Sequence, residues 1–242
     1  MRANRHDLPS NRHRVYPTHR EEKRDDTNEP KTKGDLHGFG RTYEVREVSP
    51  ELTPVERINQ AFLHFEFAVK LMNYFELQKV DKQAFDTATV VLLDRGSISL
   101  HDNTFNSYDD LILAARNNYQ ITLGATAITL DSSLDEARIK HDASDTSPRG
   151  QLRKLVYMIR CAFAHDMLTP RWCVTPKNVC VLDVKLANQT LLVDLANLNG
   201  KPFDDQDIGG ISAYFQIKDA VLKLVAENST AVGGGIPHPS FS

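Results

Sequence analysis

The sequence is poor in the features that mark secreted and membrane proteins. It holds only three cysteines in 242 residues, and an odd number at irregular spacing is typical of a reducing compartment rather than a disulfide framework. No stretch approaches the roughly 18 apolar residues that a membrane span needs. The N-terminus is charged and lacks the apolar segment of a secretory signal. We therefore expect a soluble, cytoplasmic protein that does not associate with a membrane.

The chain also has little net charge, with a formal value of −3 at pH 7. No global positive field draws such a chain to nucleic acid, so RNA binding would have to use a local basic patch. The hydrophobic content of 40% and the charged content of 25% are ordinary values for a globular protein. The length is sufficient for one domain with a full core.

Composition divides the chain into three parts. Residues 1–48 are rich in charge and proline and nearly free of large aliphatic side chains, which predicts a disordered basic tail. An alternative role for this tail is a weak electrostatic tether to RNA. Residues 49–228 form the predicted helical domain, and residues 229–242, with three consecutive glycines, form a predicted flexible C-terminal tail.

Helix signals dominate the first half of the predicted domain. Thr53 is a predicted N-cap, followed by Pro54 at the first helical position and Glu56 at the position that completes a capping box. Apolar residues then recur every three or four positions as far as about Leu77, which predicts a helix with one buried face. Residues 82–94 are ambiguous between helix and strand, and residues 106–130 favour a second long helix.

The second half adds a hairpin between two helices. Pro148 opens a helix that reaches about His165, and a last helix is predicted after two glycines at 209–210. Between them, alternating apolar residues predict two strands joined by a turn, a β-hairpin at about 179–196. The predicted fold is therefore mainly α, a helical bundle with a small β-hairpin before the C-terminal helix.

The helix from Pro148 to His165 carries the residues that best suit chemistry. A wheel of about 100° per residue places its apolar residues on one arc and its basic residues on the rest. An amphipathic helix with a wet basic face is also a common structural feature. We interpret the basic arc as a substrate-binding surface formed by Arg149, Arg153, Lys154 and Tyr157.

Arg160 and His165 are the candidate catalytic residues. A histidine exchanges protons near neutral pH, and an arginine fork binds a phosphate group. We expect both side chains to be accessible and to face a common cleft. The two side chains point about 140° apart on an ideal helix, so within one copy of the chain they would lie far from each other. We therefore also expect a homodimer with these helices near its two-fold axis.

The segment Arg160-Cys161-Ala162-Phe163-Ala164-His165 resembles the Arg-x4–6-His motif of the HEPN superfamily. That resemblance implies a helical bundle, frequent dimerisation and metal-independent endoribonuclease activity in bacterial toxin–antitoxin or phage-defence systems. It implies RNA as substrate, Arg160 and His165 as motif residues, and an antitoxin protein as a candidate partner. This chain has Cys161 where the family usually has a polar residue, often asparagine.

The same residues allow two other interpretations. A non-catalytic HEPN-like module that binds protein or nucleotide is the main alternative function. Cys161 and His165, four residues apart, could form a Cys–His hydrolase pair, which would need a third orienting group such as Asp166. The cysteines and histidines show no metal-ligand spacing, and no phosphate-binding glycine motif is present, so we predict no metal and no cofactor.

Overall fold

Four long helices and two small hairpins build the described part of the chain. The computed structural model describes residues 51–93 and 96–233. The helices are α1 (Pro54–Glu76), α2 (Lys82–Phe85), α3 (Tyr108–Glu136), α4 (Pro148–Phe163), α5 (Leu195–Leu198) and α6 (Gly210–Gly233), with 3-10 turns at Pro176–Asn178 and Asp205–Ile208. The strands are β1 (Thr89–Leu93), β2 (Gly96–Leu100), β3 (Val181–Lys185) and β4 (Thr190–Asp194). The predicted mainly α fold with a hairpin before the C-terminal helix is confirmed.

The start of α1 follows from the capping box read in the sequence. The Glu56 amide donates to the Thr53 hydroxyl at 3.3 Å, and the Thr53 amide donates to the Glu56 carboxylate at 2.9 Å. Pro54 occupies the first turn, where a backbone amide has no acceptor within the helix, so its missing amide hydrogen costs no hydrogen bond. The helix ends at Glu76, one residue before the predicted end.

Residues 82–94, which the sequence left ambiguous between helix and strand, contain both. Only Lys82–Phe85 is helical, and Thr89–Leu93 pairs antiparallel with Gly96–Leu100. The β-branched Val90 and Val91 favour a strand here. The second strand begins at Gly96, so the described residues hold one hairpin more than predicted.

Helix α3 accommodates its threonines because their hydroxyls form hydrogen bonds. The Thr126 hydroxyl donates to the Leu123 carbonyl at 2.7 Å and lies 2.9 Å from the hydroxyl of Tyr214 on α6. Gly124 lets α4 approach closely, since a Cβ at this position would lie 2.7 Å from the Phe163 ring. Threonine and glycine in α3 therefore serve the packing of the helices.

The hairpin of β3 and β4 packs against α4, which also contacts α3. Its register pairs Leu182 with Val193 and Val184 with Leu191, and all four side chains are buried. Together with α1, α3, α4 and α6 they belong to one hydrophobic core. Helix α4 therefore has α3 and the β3–β4 hairpin as neighbours, and these neighbours determine which of its basic residues are buried.

The two predicted tails, residues 1–48 and 229–242, can be compared with the structure only in part. The predicted tail at 1–48 lies outside the described residues. Helix α6 continues to Gly233, so residues 229–233 are helical where a flexible tail was predicted, and the rest of that tail lies outside the described residues. Within the described residues, no helix is long and apolar enough to span a membrane.

Candidate active site at the end of helix α4

His165 lies just beyond the end of α4 and is exposed. The helix stops because the next residues form a tight turn around the Asp166 carboxylate. That carboxylate accepts hydrogen bonds from the Leu168 amide at 2.8 Å, the Thr169 amide at 3.1 Å and the Thr169 hydroxyl at 2.6 Å. The turn holds His165 at the mouth of an open pocket instead of inside the helix.

The pocket has a volume of about 430 Å³ and contains a second basic residue, Arg171. The Arg171 amide donates to the Ala162 carbonyl at 3.1 Å, and its guanidinium donates to the Gly200 carbonyl at 3.2 Å. The side chain is nonetheless exposed. The structure therefore brings His165 together with Arg171, a residue that the sequence analysis missed. The pocket residues are Ala162, His165, Asp166, Thr169, Arg171, Trp172, Cys173, Asn199 and Gly200.

Asp166 is the acidic member of this pocket. Hydrogen bonds from Thr169 hold the pKa of its carboxyl below the usual value. It is therefore ionised at neutral pH, and its oxygens are committed to the turn that positions His165. The pocket therefore holds one carboxylate together with the histidine and the arginine.

Trp172 forms the rigid wall of the pocket. The residue is 1% exposed. Its indole N–H donates to the Asp207 carboxylate at 2.8 Å, and its ring centroid lies 5.1 Å from that of Phe203. Its backbone amide donates to the Lys201 carbonyl at 3.0 Å. These bonds tie the segment after α4 to the loop before α6.

Arg160 takes a different direction from His165. Its side chain is 42% exposed, and its Nε atom lies 3.7 Å from the Asp131 carboxylate on α3. Among the described residues that line the His165 pocket, Arg160 is absent. Both motif residues are accessible as expected, but the expectation that they face a common cleft is wrong for a single copy of the chain.

Arg153 is buried, although it was expected to lie on the solvent-exposed face of α4. Its side chain is 3% exposed and forms salt bridges to Asp131 at 2.6 Å and Asp135 at 2.9 Å. Its Nε atom donates to the Ile139 carbonyl at 2.8 Å. The arginine fork is therefore fully used in joining α4 to α3 and to the loop that follows α3.

Lys154 is also buried, because the loop before α4 and the β3 side cover it. Its ammonium group donates to the Ala143 carbonyl at 2.6 Å and lies 4.0 Å from the Cys180 sulfur. The expectation that Lys154 and Arg153 are exposed was wrong, because other parts of the chain pack over both side chains. Neither residue is placed to meet a substrate.

Arg149 and Tyr157 are the remaining predicted substrate contacts. Arg149 is exposed, and its guanidinium donates to the Asn228 side chain at 3.3 Å. Tyr157 is half-buried and stacks on the His141 ring with centroids 4.1 Å apart. A hydrogen bond with Cys161 raises the pKa of Tyr157. Of these two, Arg149 alone offers a freely exposed charge.

The cysteine and metal alternatives gain no support from this geometry. Cys161 interacts with Tyr157, and the cysteine among the residues that line the His165 pocket is Cys173. In the described part of the chain, no three His, Cys, Asp or Glu side chains are grouped closely enough to hold a metal ion.

Comparison with known proteins returned nothing. No protein-family model, no curated protein and no solved structure matches this chain.

Proposed function

We propose that the protein is a metal-independent endoribonuclease of the HEPN type. The observation that carries the proposal is an exposed histidine that shares a pocket with an exposed arginine, at the end of the helix that bears the Arg-x4-His motif. In this proposal His165 moves the proton and Arg171 binds the scissile phosphate. Arg160, on a different arc of α4, contacts the RNA backbone outside the pocket.

The reaction needs only groups that the pocket and RNA supply. The 2′-hydroxyl attacks the adjacent phosphorus while His165 accepts its proton. The bond from phosphorus to the 5′-oxygen then breaks, and His165 returns the proton to that leaving oxygen. The arginine fork stabilises the charge that builds on the phosphate oxygens. The products are a 2′,3′-cyclic phosphate and a 5′-hydroxyl, with no net change in protons.

A direct assay tests the mechanism. The full chain is incubated with an RNA and with a DNA of the same sequence in the presence of EDTA, and the ends of the products are analysed. We expect RNA to be cut to 2′,3′-cyclic phosphate ends and DNA to stay intact, since DNA lacks the attacking hydroxyl. Loss of cleavage in EDTA, or equal cutting of DNA, would contradict the proposal.

A non-catalytic HEPN-like binding module is the second candidate. The observation that favours it is the burial of Arg153 and Lys154, which leaves α4 with fewer cations for a nucleic acid. The same assay separates the two functions. A binding module leaves every RNA strand uncut, whereas the endoribonuclease cuts RNA in the presence of EDTA.

A further inference from the structure

The hairpin of β1 and β2 exposes apolar side chains on both of its faces. Val90 is 62% exposed, Val91 39%, Ile98 50% and Leu100 52%. The register pairs Val91 with Ile98, which places the two on one face, while Val90 lies on the opposite face across from Ser99. Water therefore contacts hydrophobic surface on each side of a ribbon only two strands wide.

Both outer edges of this ribbon are unpaired within the described part of the chain, where β1 bonds only with β2. A two-stranded ribbon alone is marginally stable in water. Natural edge strands are usually guarded by charges or proline, which oppose pairing with another chain. Neither Thr89–Leu93 nor Gly96–Leu100 contains a charged residue or a proline.

The second hairpin of the same chain is a useful contrast. Strands β3 and β4 carry Asp183, Lys185 and Asp194, and one face of that hairpin is buried in the core. It is thus guarded at its edges and already has a packing partner. The β1–β2 hairpin has neither property, so its sequence favours association rather than solvation.

We propose that the β1–β2 hairpin is the surface at which two copies of this chain associate. Strand β1 of one copy pairs antiparallel with β1 of the other about a two-fold axis at Val91, which gives a four-stranded sheet. The occupant is a second copy because an uncharged edge meets itself without repulsion, as an isologous interface requires. The β-branched Val90 and Val91 make β1 the better pairing edge.

This inference goes beyond the proposed ribonuclease function and does not depend on it. It places the two-fold axis at the hairpin, whereas the motif alone placed it at α4. With Arg171 beside His165, the proposed chemistry does not need a second copy to complete the pocket.

Substitution of Val91 by lysine tests the interface. It places two like charges at the axis, and we expect the full-length chain to sediment as a dimer and the V91K variant as a monomer. The expected rise in the dimer dissociation constant is at least about tenfold. The matched control is Leu192→Lys, because Leu192 is 68% exposed on the other hairpin. A monomeric native chain at micromolar concentration, or a V91K variant that stays dimeric, would overturn the proposal.

A second variant covers the case in which lysine unfolds the hairpin. Antiparallel pairing at Val91 brings the two Cα atoms to about 4.5–5.5 Å, within the range of a disulfide. In a Cys173→Ser background, which removes the exposed native thiol, Val91→Cys should form a covalent dimer on mild oxidation. Leu192→Cys in the same background should stay monomeric on a denaturing gel. Equal cross-linking of both variants, or of neither, would overturn the proposal.

Discussion

Replacement of Arg153 by alanine is expected to lower the free energy of unfolding by about 3–5 kcal/mol. The guanidinium is 3% exposed and bonds to two carboxylates and one backbone carbonyl. Its removal leaves the Asp131 carboxylate, only 14% exposed, without its strongest partner. It also leaves the Ile139 carbonyl without this bond and opens a cavity between α3 and α4. Urea unfolding followed by circular dichroism measures the loss.

Arg149 provides the matched control on the same helix. It is exposed and makes one long hydrogen bond, so Arg149→Ala should change stability by less than about 0.5 kcal/mol. Arg153→Lys should fall between the two, since lysine keeps the charge but loses the planar fork that reaches both carboxylates. If Arg153→Ala melts like the native chain, the buried arginine is not the link between α3 and α4 described above.

Replacement of His165 by alanine is expected to reduce RNA cleavage by about 10²–10⁴-fold, the usual contribution of a general acid–base group. Because His165 is exposed, the melting temperature should stay nearly unchanged. Single-turnover cleavage of a labelled RNA gives the rate, and a thermal melt gives the stability. His64, exposed on α1, supplies the control, since His64→Ala should cleave at the native rate.

Substitutions of Arg171 and Arg160 should have different effects in the same assay. Arg171→Ala should slow cleavage of RNA that is already bound, because Arg171 shares the pocket with His165. Arg160→Ala should chiefly weaken RNA binding, because Arg160 faces away from that pocket beside Asp131. A fully active His165→Ala variant, or an Arg171→Ala variant that cleaves bound RNA at the native rate, would remove the pocket as the reaction site.

Local signals in the sequence were sufficient for much of the fold. The start of α1 was predictable because Thr53, Pro54 and Glu56 interact within one turn of backbone. The β3–β4 hairpin was predictable because alternation at Leu182 and Val184 matches one buried face. Such features depend on neighbours in the sequence, so they need no knowledge of what packs against them.

The surroundings of α4 were not predictable in this way. A helical wheel gives the angle of Arg153 or Lys154 but not the number of layers around the helix. Both were read as solvent-facing, yet α3 and its loops cover one and the β3 side covers the other. Asp131 and Asp135, spaced by one helical turn on α3, are the signal that could have indicated a buried arginine. Arg171 was missed because it lies in a loop after the motif.

The chain contains one tryptophan, and it is the wall of the candidate pocket. Intrinsic fluorescence excited at the red edge of the absorption band therefore reports on a single place in the molecule. An indole buried against Phe203 and bonded to Asp207 should emit to the blue of free tryptophan in water, and emission should move red when the segment after α4 detaches. Because Trp172 and His165 line the same pocket, we expect a nucleotide that enters it to quench the emission. The native protein thus carries its own optical probe for occupancy of this pocket, without a label.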